Sequence, residues 1–168
     1  MREKIFKYKL YHPASKLNQI IAERIRENTL VNHHNLSGKV SYDNGIEVFK
    51  EASLFTFWPY LGPMVKLNVK CHNSNTNGTE SKLILERKNG LTFLLHYWFS
   101  LIFALLTFGL GVYLLIENGV EKIEVLFLPI FGFGYYYLIK ILANGTTKNL
   151  ISKVEKMLRK EKLKYEKL

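Results

Sequence analysis

The sequence has little cysteine, little proline and a shortage of acidic residues. It contains one cysteine, four prolines and 14 Asp/Glu against 24 Lys/Arg in 168 residues. The single Cys71 excludes an intramolecular disulfide and indicates a reducing compartment around the polar parts of the chain. The first nine residues are charged and alternating, without an apolar stretch of signal-peptide type. We therefore expect no cleavable signal peptide, and any membrane insertion would be directed by an internal apolar segment.

The sequence also lacks the short motifs that identify catalytic and metal sites. It has no glycine-rich phosphate loop, no His-Glu-x-x-His and no suggestively spaced pair of carboxylates. His33 and His34 are adjacent, so they would not share one helical face as a metal-binding pair does. Cys71 and His72 are neighbours at the end of a predicted strand, where their side chains point to opposite faces. The sequence therefore nominates no catalytic residue, no cofactor and no metal ligand, and it favours a protein that is not an enzyme.

What the chain does contain is two long apolar runs. Leu91–Ile116 is 26 residues without Asp, Glu, Lys or Arg, and Val125–Ala143 is interrupted only by Lys140 near its end. About 20 apolar residues suffice to cross the hydrocarbon core as a helix, and a lysine near a helix end can reach the headgroups. The connector 117–122 is too short for a domain. The sequence predicts a two-helix transmembrane hairpin over residues 91–143.

The basic residues lie on either side of this apolar block. Residues 1–90 hold 14 Lys/Arg against 8 Asp/Glu, residues 143–168 hold 8 against 3, and the connector carries a net charge of −1. Because Lys and Arg are enriched on the cytoplasmic side of membrane proteins, this distribution predicts that both chain ends are cytoplasmic. We expect a multi-pass protein of the bacterial inner membrane, with the lipid bilayer as its first partner.

Aromatic residues and glycines add detail to the predicted hairpin. Tyr97, Trp98 and Tyr135–Tyr137 suit the headgroup level, and neither run carries a central charge, which argues against an ion pathway. Small residues let membrane helices approach closely, so we consider two interpretations of the glycines: a packing seam within or between chains, or simply the high frequency of glycine in such helices. The candidate helix-packing residues are Gly109, Gly111, Gly132 and Gly134.

The region before the apolar runs has the pattern of a small α+β domain. Residues 4–10 alternate as a strand, and residues 15–27 form an amphipathic helical pattern. Short alternating segments then predict an antiparallel meander, at residues 38–42, 46–49, 53–58, 64–70 and 81–87. The aromatic cluster of the third segment is a candidate interaction edge, although core packing would explain at least half of it. It consists of Phe55, Phe57, Trp58 and Tyr60.

The region after the apolar runs predicts a basic amphipathic helix. Its apolar stripe consists of Leu150, Ile151, Val154, Met157 and Leu158, with lysines elsewhere. The stripe could pack on the N-terminal domain, or the helix could lie on anionic headgroups through the lysines of residues 148–167. We favour packing on the domain, and we do not expect nucleic-acid binding because the aromatic residues are concentrated in the predicted strands and apolar runs rather than among these lysines. The predicted domains are thus 1–90, 91–143 and 144–168.

Several short segments carry a resemblance to known proteins. Gly38-Lys39-Val40, the turn Phe55-Thr56-Phe57-Trp58-Pro59-Tyr60-Leu61-Gly62 and Gly78-Thr79 precede an apolar pair and a lysine-rich tail. In this arrangement the chain resembles small bacterial two-span membrane proteins of uncharacterised function. It departs from them where Glu80-Ser81 follows Gly-Thr. The resemblance implies a similar architecture and no particular activity.

These features favour a non-enzymatic, membrane-anchored binding or accessory protein with a cytoplasmic interaction domain and a protein partner. One alternative is an oligomeric component of a larger membrane complex, in which the glycines form a seam between copies. A third is a small membrane protein that neutralises a toxin. The sequence does not distinguish the partner or the biological process.

Overall fold

The computed structural model describes residues 4–26, 36–40, 45–50, 62–119, 124–125 and 127–168. In this part the chain forms six strands and three helices. The strands are β1 (Ile5–Leu10), β2 (Leu36–Val40), β3 (Ile46–Lys50), β4 (Val65–Asn73), β5 (Ser81–Asn89) and β6 (Tyr165–Lys167). The helices are α1 (Ala14–Arg26), α2 (Leu91–Asn118) and α3 (Phe127–Lys160). The predicted strand over residues 53–58 lies outside the described residues.

The strands form a single antiparallel sheet in the order β2-β3-β4-β5-β1-β6. The predicted meander is found in β2 to β5, while β1 pairs with β5 and adds the N-terminal strand beyond it. β6, which the sequence analysis did not predict, pairs with β1. The first and the last strand therefore lie side by side in one sheet.

Helices cover one face of the sheet. Along the strands, most residues that face the helices are buried, and the residues between them are more accessible. On β5, for example, Ser81, Leu83, Leu85 and Arg87 are buried and the residues between them are partly exposed. α1 places Leu17, Ile21 and Ile25 against this face, following the spacing predicted for an amphipathic helix. Its first backbone N–H, that of Ala14, is capped by the Asn73 side chain at 3.0 Å.

α3 contributes its second half to the same core. The apolar stripe predicted for the tail, Leu150, Ile151, Val154, Met157 and Leu158, is buried there, so its packing on the N-terminal domain is confirmed. The fully buried Tyr8 donates a hydrogen bond of 2.8 Å to Glu155, which ties β1 to α3. Burial and this carboxylate together raise the pKa of the Tyr8 hydroxyl above its ordinary value.

The predicted two-helix transmembrane hairpin, with a separate tail helix after it, is wrong. Among the described residues one helix, α2, is long and apolar enough to cross a membrane. The second apolar run belongs to α3, a continuous helix of 34 residues, so the boundary predicted at 143/144 falls inside a helix. Pro129, the tyrosines Tyr135–Tyr137 and Lys140 lower the hydropathy of this run. The multi-pass topology inferred from two spans is not supported.

The apolar half of α3 packs against α2 in antiparallel fashion. Tyr97 of α2 meets Tyr136 of α3, and further along Ala104 meets Gly132. We call α2 together with residues 127–143 of α3 the helical arm. The arm begins at Leu91, after the N-cap residue Gly90, and it ends at residue 143, from which α3 continues into the core of the sheet domain.

Candidate functional site

The helical arm carries an extensive apolar surface. Accessible fractions reach 81% for Ile116, 68% for Leu106 and 64% for Phe99, and many further Leu, Ile and Phe side chains of α2 and α3 are exposed. Proteins that are monomeric in water rarely expose apolar patches larger than a few hundred Å². The arm is therefore the part of the described chain that requires an apolar surrounding, either lipid or another protein.

One side of the arm carries a cluster of tyrosines around a lysine. The hydroxyls of Tyr97 and Tyr136 are hydrogen bonded at 3.1 Å, and Lys140 Nζ donates to the Tyr136 hydroxyl at 2.6 Å. The ammonium also lies 4.1 Å from the centroid of the Tyr136 ring, a cation–π contact. We call these three residues the tyrosine–lysine cluster. It lies about 9 Å along α2 from the start of the helix, at a rise of about 1.5 Å per residue.

The arm also contains an apolar groove of about 420 Å³, lined by residues of both α2 and α3. Its lining consists of Phe99, Ser100, Phe103, Phe131, Gly132 and Tyr135. The Ser100 hydroxyl donates to the backbone oxygen of Tyr97 in its own helix at 2.8 Å. At the rim, the Tyr135 hydroxyl and His96 Nδ1 are hydrogen bonded at 2.9 Å. The polar groups identified here are thus partnered within the protein, and the groove presents mainly rings.

The four candidate packing glycines occupy different environments. A Cβ on Gly132 would lie 2.7 Å from the Cβ of Ala104, so Gly132 is at the contact between α2 and α3. Gly111 is buried in the same arm. Gly109 and Gly134 are exposed, with nothing within 4 Å of an added Cβ. The first pair therefore lies within the chain's own packing, and the second pair faces outward. The other candidate set, Phe55, Phe57, Trp58 and Tyr60, lies outside the described residues.

A buried arginine stands where the arm joins the sheet, and sequence reasoning missed it. Arg87 is 6% exposed and donates to Asn144 Oδ1 of α3 at 2.7 Å and to Asn89 Oδ1 at 3.1 Å. Its Nε is buried without a partner, and the ion pairs found among the described residues do not include it. Burial lowers the pKa of this guanidinium, which nevertheless stays charged at neutral pH. The sequence did contain a signal for its burial, because Arg87 is the fourth residue on the buried side of the alternating strand β5.

Among the described residues, Cys71 and its neighbour His72 do not form a reactive pair. Cys71 is partly buried at the end of β4, the neighbouring His72 is exposed, and burial raises the pKa of the Cys71 thiol to about 12. Among the described residues no group of three or more His, Cys, Asp or Glu is placed to hold a metal ion.

We expect the native protein to resist alkylation at Cys71. With a pKa of about 12 the thiolate fraction at pH 8 is on the order of 10⁻⁴, and the thiolate is the reactive form. Iodoacetamide at pH 8 should label the folded protein at least about 100-fold more slowly than the denatured protein, measured by intact mass. Equal labelling rates in the folded and the denatured protein would show that the Cys71 thiol is accessible and that its pKa is not raised.

Comparison with known proteins yields no match to a protein-family model, a curated protein or a solved structure. The resemblance to small bacterial membrane proteins therefore stays a prediction, and the functional argument depends on the geometry described above.

Proposed function

We propose that this protein is a non-enzymatic binding or accessory protein that α2 anchors in a lipid bilayer. The observation that carries the proposal is the apolar surface of the helical arm, which contrasts with the charged sheet domain at its base. The tyrosine–lysine cluster supports it, because amphipathic rings and lysine ammonium groups favour the headgroup level. The cluster lies at the end of the arm next to the sheet, where a membrane surface would be.

The sheet domain is then held at the surface of the membrane. Because β1 and β6 are neighbours, the first and the last strand both belong to that domain. We place it on the cytoplasmic side of a bacterial inner membrane, since Lys and Arg exceed Asp and Glu both before α2 and in the last 26 residues. The partner is a protein that binds the sheet domain.

Two lysines in the exposed apolar surface of α2 are expected to weaken membrane association strongly. Leu106 and Leu110 are exposed and lie one turn apart, and each lysine near the centre of a membrane helix costs about 2.5–3.5 kcal/mol. Leu106→Lys/Leu110→Lys should therefore float poorly with vesicles on a density gradient, whereas the wild type should float and resist an alkaline carbonate wash.

The matched control is Gln19→Lys/Thr76→Lys, which adds two lysines at exposed positions of the sheet domain. It should float as the wild type does. Flotation separates vesicle-bound protein from aggregates, which sediment. Release of the wild type by carbonate, or equal flotation of the α2 variant and the control, would refute the anchoring role of α2.

A second function is favoured by the two outward-facing glycines. Gly109 and Gly134 leave open space on the surface of the arm, where another helix could approach closely, as in an oligomeric membrane component. Gly109→Leu/Gly134→Leu should then dissociate the oligomer in detergent, as measured by light scattering. If the double variant keeps the oligomeric mass of the wild type, or if the wild type is itself a monomer, this seam is ruled out. Gly132→Leu is the contrasting variant, since it perturbs the packing of α2 on α3 within one chain.

A further inference from the structure

The face of the sheet that the helices leave uncovered is rich in lysine. The helices pack on the inward residues of the strands, and the alternate residues of the six strands form the outer sheet face. Seven lysines and three glutamates of the described residues lie on it, at Lys7, Lys9, Lys39, Lys66, Lys70, Lys82, Lys88, Glu47, Glu86 and Glu166. This excess of positive charge is separate from the lysines of α3, which lie beyond the opposite face.

The register of the strands places lysines directly opposite one another. Lys9 faces Lys82 across β1 and β5, and Lys66 faces Lys88 across β4 and β5. Directly opposed side chains on neighbouring strands have Cβ atoms about 5 Å apart, and like charges in that position destabilise a sheet. Lys9 and Lys66 each have a glutamate partner within the protein, so carboxylates from a binding partner would compensate the charges of Lys82 and Lys88.

The ion pairs within the protein neutralise only part of this face. Lys9 pairs with Glu80 at 3.1 Å, and Lys66 pairs with Glu47 at 3.1 Å. Lys70 pairs with Glu86 at 3.3 Å. In the part of the chain that the structure describes, the ion pairs do not include Lys7, Lys82 or Lys88. Lys7 lies on β1, and Lys82 and Lys88 lie on the neighbouring strand β5.

We propose that the outer sheet face binds an acidic segment of a partner protein. The inference deepens the proposed function, since it names the surface of the sheet domain that binds and the chemistry of the partner. Glu86 lies between Lys82 and Lys88 on β5, so the positive charge is divided into two patches about 20 Å apart, at about 3.3 Å per residue along the strand. Carboxylates at discrete positions on a protein segment match two separated patches.

Other negatively charged or self-complementary partners fit this face less well. The outer face of a second copy carries the same excess of lysine, so two such faces would repel each other. A nucleic-acid backbone crossing the face would meet Glu86, and the described strand residues of the face include no arginine and, of the Phe, Tyr and Trp rings, Phe49 alone. A bilayer around α2 would lie next to Lys66 and Lys88, which are close to the start of that helix, whereas Lys9 and Lys82 lie about 20 Å further along the strands. A flat anionic surface at α2 would therefore contact one patch and not the other.

The binding experiment uses the full chain in nanodiscs of neutral lipid. The probe is a fluorescein-labelled peptide of alternating glutamate and serine, followed by fluorescence anisotropy at increasing salt. The wild type should bind the peptide, and added salt should weaken binding. Lys7→Gln/Lys82→Gln/Lys88→Gln should weaken it by about tenfold, since each exposed ion pair makes a small contribution.

The matched control removes the same charge from the opposite side of the molecule. Lys148→Gln/Lys156→Gln/Lys160→Gln changes three exposed lysines of α3 and should leave the peptide affinity within about twofold of the wild type. Lys82→Thr should also raise the melting temperature, because it removes one member of an opposed lysine pair.

Three outcomes would overturn the proposal. The first is absence of peptide binding at low salt, and the second is an equal loss of affinity in the α3 control, which would indicate net charge alone. The third is tighter, lysine-dependent binding of single-stranded DNA or of anionic vesicles than of the peptide. The flotation assay reports on α2 independently, so failure of the membrane anchor and failure of this surface are distinguishable.

Discussion

Replacing Gly90 with alanine is expected to destabilise the protein by about 3 kcal/mol or more, because the added methyl group has no space. A Cβ at this position would overlap the carbonyl oxygen of Pro63 and lie 2.9 Å from its carbonyl carbon. The obstacle is backbone, which cannot move as a flexible side chain does. Gly90 also donates its N–H to the Met64 carbonyl at 2.9 Å, so the two segments are held together at the point where β5 passes into α2.

The measurement is thermal unfolding of the detergent-solubilised chain, followed by circular dichroism. Gly109→Ala is the matched control, since it lies in α2 with nothing within 4 Å of an added Cβ. It should change stability by no more than about 1 kcal/mol, in the stabilising direction, because alanine is the better helix former. A Gly90→Ala protein that melts together with the wild type would show that the Pro63–Met64 backbone yields at little cost.

Replacing Asn144 with leucine is expected to destabilise the protein by about 2–3 kcal/mol, because it leaves a buried charge with fewer hydrogen bonds. Arg87 already has one unpartnered nitrogen, and Asn144 accepts its shortest hydrogen bond, 2.7 Å from Nη1. Without the Asn144 side-chain oxygen, the buried guanidinium of Arg87 loses a hydrogen bond that water does not replace, so the cost of its desolvation is no longer fully offset. The change can be followed by the same thermal unfolding.

Arg87→Met should lower the stability of the protein less than Asn144→Leu does, although it removes the larger polar group. Methionine takes the charge out of the interior and fills much of the space, and buried ionic groups can often be replaced by apolar ones of similar volume. In a double-mutant cycle, Arg87→Met/Asn144→Leu should therefore recover most of the stability lost in Asn144→Leu. Additive losses in the two single variants would show that Arg87 and Asn144 act independently, contrary to the hydrogen bond between them.

Both predictions concern the junction at which the helical arm meets the sheet. Gly90 holds the start of α2 against the segment before β4, and Arg87 connects β5 to the middle of α3. If the arm anchors the protein in a membrane, this junction sets how the sheet domain, with its outer lysine face, is presented to a partner.

Local patterns in the sequence were sufficient for much of the sheet domain. Alternation located β1 and most of the meander, and the spacing of Leu17, Ile21 and Ile25 located α1, because period-2 and period-3.6 patterns reflect which side of an element is buried. The stripe from Leu150 to Leu158 likewise indicated the buried side of α3. β6 was not predicted, because three residues next to a lysine-rich helix are too few to show the alternation that identifies a strand.

The sequence by itself determined that residues 91–116 form an apolar helix and that basic residues lie on both sides of it, since length and charge are local properties. Tertiary structure decided the rest. The second apolar run is the first half of α3, because the helix continues into the core of the sheet domain, where side chains distant in sequence bury it. Only the strand register brings Lys9 opposite Lys82, and only the fold brings Asn144 to Arg87, since neither pairing is encoded in any single segment.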